Sequence, residues 1–247
     1  MKYYAQIKYI GTDFHGFQVQ PGYRTVQGEL CLALAQAIGS ECKVTGCSRT
    51  DAGVHANTFS ITVENENATV PPEKLPLAVA RFLPPDLALY HAEEADESFH
   101  PRYSVKSKEY LYRIRNTRIS DPFDYGRVWL LNPPISDDAL KKMKKAATYI
   151  VGKKDFATFM AEGSDVSDTV REVFYLDVDR CGNYIEVRIC ADGFLYNMVR
   201  IIVGTLTEVA YGRILPEDID KIIASCDRKK AGMTAPAAGL YLNKVNY

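Results

Sequence analysis

The chain has 247 residues, 47% of them apolar and 25% charged, enough length for roughly one or two domains with a buried core and too apolar for a disordered or fibrous chain. Its formal net charge of -1 carries no global excess of positive charge of the kind that marks many nucleic-acid binders, so any polyanion site must come from clustered cations. The greasiest stretch, Phe194 to Val203, contains Asn197 and Arg200 and falls short of the ~20 apolar residues of a membrane span. The N-terminus, MKYYAQIKYIG, reads as a strand without the apolar segment and cleavage site of a secretory signal. A cytoplasmic location away from membranes is expected. Six cysteines lie scattered without a CxxC pair, which suits reduced thiols rather than a zinc ribbon.

Taken in order, the chain predicts a strand over Tyr3 to Tyr9, then a glycine- and aromatic-rich segment, GTDFHGFQVQPG. A helix follows Thr25, its N-cap, with Val26, Leu30, Leu34 and Ile38 on one stripe. A strand near Lys43 to Cys47 leads through the loop SRTDAGVHAN into another in which Phe59, Ile61 and Val63 alternate with polar residues. A helix from about Pro72 to Phe82 and a strand through Leu87 to His91 complete a first half of 1–104. The second half, 105–247, opens with a strand over Val105 to Ile114 and a helix capped by Ser136. Two strands follow, Val173 to Val178 and Ile185 to Ile189, turned at Cys181-Gly182-Asn183. A helix over Phe194 to Ala210, a short helix after Pro216 and a strand near Leu240 to Val245 end the chain. Helices and strands interleave without regular βαβ spacing, which predicts an α+β fold with a mixed, largely antiparallel sheet and two roughly matching halves.

The loop GCSRTDAGVHA, Gly46 to Ala56, gathers a cation, an anion, a hydroxyl and an imidazole between two strands, the setting in which catalytic groups are commonly mounted. Asp51 there is either a catalytic carboxylate or the acceptor of an Asx-turn closed at Gly53. Cys47 with His55 would be a nucleophile and base, but no third group orients the imidazole. Asp51 and His55 make a poor metal site, since no other histidine stands at ligand spacing, and no metal is expected. Arg200 is the sole charge in its helix before Glu208; it either reaches solvent along its stem or needs a carboxylate, for which Asp51 is a candidate. A carboxylate held by arginine stays ionised and suits a nucleophile better than an acid. Tyr110, beside Lys106, Lys108, Arg113 and Arg115, is either a core aromatic or a stacking face for an unstacked base. Lys141, Lys142, Lys144 and Lys145, with Arg228, Lys229 and Lys230, form local positive runs of the sort usually spent on a solvated face. GxxxxGK[ST], HExxH and GxGxxG are absent from the sequence.

Four ordered segments carry a family resemblance: GTDFHGFQVQP with TVQGEL, then SRTDAGVHA, then FHPRYSVKSKEYLYRI, then GFLYNMVRIIVGTL with TAPAAGLYL. Together they resemble the TruA-type tRNA pseudouridine(38-40) synthases almost end to end. That resemblance implies the pseudouridine synthase fold, two α/β halves related by a pseudo-twofold with the active cleft between them, in a homodimer that cradles tRNA. It implies Asp51 as the catalytic aspartate, Tyr110 as the tyrosine packed on the target uracil and Arg200 as the arginine that pairs with the aspartate. Arg49 corresponds to the arginine associated with flipping the target base, and Leu240 to the apolar lining of the uracil pocket. The implied reaction cleaves N1–C1′, rotates the uracil and rejoins it through C5, with no cofactor. Asp51 would attack the ribose or assist deprotonation on its 2′ side, and the sequence does not choose between them. Such chemistry needs the nucleotide extruded from its stack. The chain departs from the usual pattern at Ile10 and Ala80, outside the implied catalytic set. A related enzyme acting on another RNA, a non-catalytic RNA-binding module and a small-molecule hydrolase using Cys47 and His55 are the competing readings.

Overall fold

A computed structural model describes residues 1–66, 70–163 and 166–247. In chain order it contains β1 (Lys2–Tyr9), α1 (Val26–Ile38), β2 (Lys43–Gly46), β3 (His55–Glu64), α2 (Leu75–Ala80) and β4 (Leu87–Glu94). These are followed by β5 (Ser107–Arg115), β6 (Trp129–Leu130), α3 (Asp137–Thr148), β7 (Gly152–Asp155), β8 (Val170–Cys181), β9 (Tyr184–Ala191), α4 (Met198–Ala210), α5 (Ile219–Ala224) and β10 (Leu240–Asn246). The fold is α+β with mixed, largely antiparallel pairing; β10 with β3 and β6 with β5 are parallel. The chain divides into two compact units, Met1–Lys106 with Tyr241–Tyr247, and Ser107–Leu240.

In the first unit the strands lie in the order β4-β1-β3-β10, with β2 also on β3. Alternation along β1 buries Tyr3, Ala5, Ile7 and Tyr9, the period-two signature of a half-buried strand. Antiparallel register sets Tyr3 opposite Val63 and Ile7 opposite Phe59, so apolar residues of β1 and β3 face one core. α1 buries Val26, Leu30, Ala33 and Leu34. It begins where the Thr25 hydroxyl accepts from the Gly28 N–H and ends at Gly39, whose φ of 86° is the left-handed stop that glycine adopts without strain. The last strand joins this unit by setting Tyr241 opposite His55 and Leu242 opposite Ala56.

In the second unit the strands run β5-β9-β8-β7, with β6 on β5. Tyr112 and Ile114 of β5 and Val187 and Ile189 of β9 are buried, and α4 is buried along almost its whole length. α3, capped by the Ser136 hydroxyl at the Ala139 N–H, buries Leu140, Met143, Ala146 and Ala147 and packs on α4 and β8. The hairpin between β8 and β9 closes on Gly182 and Asn183, with Gly182 at φ 60° and Cys181 opposite Tyr184.

Three elements differ from the sequence expectation. α4 starts at Met198, because Asn197 takes a left-handed φ of 58° and segregates 194–196 from the helix. β7, sequence GKKD, is a short lysine-bearing strand at the end of the unit's strand order, where charge serves to discourage further pairing and erases the apolar alternation by which strands are read. The two-residue β6 is too short to carry a pattern at all.

Candidate active site

The loop that bears Asp51 is held by the segment between β1 and α1. Phe17 N–H donates to the Thr50 carbonyl at 3.1 Å and Gly53 N–H to the Phe14 carbonyl at 3.3 Å. The Thr50 hydroxyl and the Tyr9 phenol share a buried hydrogen bond of 2.8 Å. The two segments approach so closely that a Cβ on Gly11 would lie 2.0 Å from the Val54 carbonyl oxygen, and one on Gly16 2.6 Å from that of Thr50. Those contacts account for the glycines of GTDFHG. Asp51 itself is half-buried and heads a turn in which its main-chain carbonyl accepts from Val54 N–H at 3.2 Å. Gly53, at φ 78°, supplies the left-handed corner that such a turn requires. Arg49, two residues earlier, is exposed.

His55 is a strut. It is fully buried, its Nδ1 accepts from the Gly11 N–H at 2.8 Å, and its ring stacks on Tyr241 with centroids 4.5 Å apart. Cys47 is equally buried. Neither side chain presents a face to substrate, and the Nδ1 that a base would use is committed, which removes the support for a Cys47–His55 hydrolase.

In the second unit three segments converge around Tyr112. Its ring is buried, and its hydroxyl donates to the Pro236 carbonyl at 2.7 Å. Gly239 lies so close that a Cβ there would sit 2.5 Å from the Tyr112 ring. Burial pushes the Tyr112 phenol well above its ordinary pKa, against a smaller opposite pull from the Arg200 charge, so it stays a hydrogen-bond donor. Arg200 donates through Nε to the Ala235 carbonyl and through Nη1 to the Asn197 side-chain oxygen, both at 2.7 Å. Ala235 N–H returns a bond to the Arg200 carbonyl at 3.1 Å. The guanidinium is thereby oriented from both sides, and the left-handed backbone of Asn197 is what aims its amide there. Tyr110 lies two residues before Tyr112, hence on the same side of β5, and meets Phe194 edge-on with centroids 5.0 Å apart. Leu240 is buried where the 235–240 segment enters β10.

Tyr110, Arg200 and Leu240 are thus tied to one packed cluster of the second unit, while Arg49 and Asp51 share one loop of the first. Sequence reading passed over the supports Tyr9, Thr50, His55, Tyr112 and Asn197. The glycines at 11 and 16 were the available signal for a close approach. The lysine run on α3 is largely neutralised: Lys141 pairs with Asp138, Lys144 with Asp179 and Lys145 with Glu217. Among the described residues, no group of three or more His, Cys, Asp or Glu side chains is placed to hold a metal ion, and no helix is long and apolar enough to cross a membrane.

The tRNA pseudouridine synthase family profile matches residues 5–104 and 146–247, segments that contain Arg49, Asp51, Arg200 and Leu240 and leave Tyr110 between them. Similar proteins include a tRNA pseudouridine synthase A of Thermoanaerobacter sp. (strain X514), 42% identical over 98% of this chain and 97% of that protein. Another of that name, from Brevibacillus brevis (strain 47), is 44% identical over the same shares. Among solved structures, a chain of a Cbf5-Nop10-Gar1 complex aligns with a TM-score of 0.37 and 11% identity, over 97% of this chain and 57% of that one. With the profile covering most of its length and such identity sustained from end to end, this chain belongs to the tRNA pseudouridine synthase family.

Proposed function

We propose that the protein converts uridine to pseudouridine in tRNA, in the anticodon arm at positions 38–40, with Asp51 as the nucleophile. What supports this most is the mounting of Asp51: a carboxylate on a glycine-cornered turn, locked by main-chain bonds to a second segment, inside a stretch that the family profile matches. Such fixing is the preorganisation on which a charge-developing reaction relies.

In the reaction the N1–C1′ bond breaks with its electron pair going to the uracil. The Asp51 carboxylate either bonds C1′ directly or takes a proton from the 2′ side. The uracil turns and C5 bonds C1′, either as the Asp51–C1′ bond breaks and returns its electron pair to the carboxylate or as the 2′ carbon takes its proton back; the C5 hydrogen then leaves as a proton while N1 gains one, so no net redox change occurs and no cofactor is consumed. Tyr110 packs on the uracil, Leu240 lines its pocket, Arg49 helps extrude the nucleotide, and Arg200 supplies positive charge to the reaction. The enzyme works in the cytoplasm as a homodimer; sedimentation at twice the 27.7 kDa chain mass tests the latter.

Loss of the C5 hydrogen supplies the assay. Transcripts of tRNA carrying 5-tritiated uridine release tritium with the native chain and none with Asp51→Asn, while Asp51→Asn still binds tRNA. Equal release by the two chains would sink the assignment of Asp51, and no release by the native chain would sink the activity.

A further inference from the structure

The first unit carries a groove beside the catalytic loop, of which the reaction as described uses only Arg49. Its lining includes Gln18, Ser48, Arg49, His100, Arg102 and Tyr103. No aspartate or glutamate lines it, although the chain as a whole is slightly acidic.

The turn that presents Arg102 and Tyr103 is built rather than slack. The His100 Nδ1 accepts from the main-chain N–H groups of Arg102 and Tyr103, at 3.1 and 3.4 Å. Ser104 N–H donates to the His100 carbonyl at 2.9 Å, and His100 N–H donates to the Ser104 hydroxyl at 3.1 Å. From beneath, Tyr247 donates its hydroxyl to the Pro101 carbonyl at 2.9 Å. The product of all this fixing is a tyrosine 77% exposed to solvent. Its ring leans on His100 with centroids 4.3 Å apart, and the Arg102 guanidinium sits 5.8 Å from its centre. A large aromatic held in water at this exposure costs hydrophobic free energy, and a rigid aromatic sharing a groove with two arginines is an arrangement suited to a base and its phosphate.

We propose that this groove is a nucleotide subsite for the RNA strand flanking the target uridine, with a base stacked on Tyr103 and a backbone phosphate between Arg49 and Arg102. It rests on the reading of the protein as a tRNA-modifying enzyme and adds to it a second, sequence-tolerant grip outside the reacting nucleotide. Rigid presentation matters because the loop need not be ordered at the moment of binding.

The test uses the full-length protein and unmodified tRNA transcripts, with binding followed across a salt series and tritium release followed in parallel. Tyr103→Leu, which keeps apolar bulk but not the ring, weakens tRNA binding about tenfold, while Tyr103→Phe stays within about twofold of native. Arg102→Gln lowers the slope of log affinity against log salt by about one phosphate contact. Release at saturating tRNA stays near native in all three, and unchanged thermal melting shows that the fold is intact. Native binding by Tyr103→Leu, or equal losses in Tyr103→Leu and Tyr103→Phe, would overturn the subsite while native release upheld the enzyme. Absence of release from the native chain would overturn both.

Discussion

Tyr112 shows how single side chains hold the candidate site. Its phenol is the donor to the Pro236 carbonyl, one residue beyond the carbonyl that receives Arg200. Tyr112→Phe removes that donor and leaves the carbonyl without it, at a cost of about 1–2 kcal/mol, measurable as a lower urea midpoint. Because the same segment orients Arg200, turnover falls with it; native turnover in a destabilised variant would mean that the segment is merely structural. Gly16 is the counterpart in the first unit. At φ 82°, with the Thr50 carbonyl where a Cβ would go, Gly16→Ala costs about 1–3 kcal/mol through strain and collision. The displaced neighbour is the residue before Asp51, so single-turnover release slows more than tRNA affinity drops. At this scale the letters single out the candidate residues better than their supports. Asp51 and Arg200 stand out as charges in unusual settings, whereas nothing in the letters distinguishes His55 the strut from His55 the base until its Nδ1 is seen against Gly11.

Among elements, legibility followed the strength of the local pattern. The helix after Thr25 and the hairpin at Gly182-Asn183 were readable because cap, stripe and turn all agreed. β7 and the true start of α4 were not, since one is charged on both faces and the other is set by a single left-handed asparagine. β7 nonetheless carries a testable charge. Asp155, its last residue, accepts from the Thr169 hydroxyl at 2.6 Å and from the Ala157 N–H at 2.9 Å. These bonds, that from Thr169 foremost, hold its carboxyl below the usual carboxylate value. Stability from that shift is fully present above the unfolded-state pKa and is lost as pH falls through the depressed folded value. Thr169→Val therefore lowers stability at pH 7 and flattens its decline below about pH 4. Denaturant midpoints recorded from pH 3 to 7 check it; parallel curves for the two chains would refute it.

At the scale of the whole chain, the two units are not two consecutive stretches of sequence. A division near residue 104 is a natural reading of the letters, since composition does not change at Tyr241. Only pairing does: Tyr241 lies opposite His55 and Leu242 opposite Ala56. Deletion of residues 241–247 removes that strand, the Tyr241 ring stacked on His55 and the Tyr247 anchor of the Pro101 turn. Limited proteolysis of the shortened chain is expected to digest residues 1–106 while sparing 107–240. Equal resistance of both stretches would show that the returning strand is dispensable.

That returning strand also sets a clock. β3 leaves the ribosome early, yet its parallel neighbour β10 follows only after the whole of the second unit. At about 5–20 residues per second, roughly ten to forty seconds pass in which the His55–Ala56 end of β3, beyond the stretch that β2 covers, offers unmatched N–H and C=O groups. A nascent chain in that interval is a template for mispairing with its siblings on the same message. Its yield in the cell then depends on how quickly translation finishes, and on chaperones that shield the waiting strand, as much as on the stability of the finished enzyme.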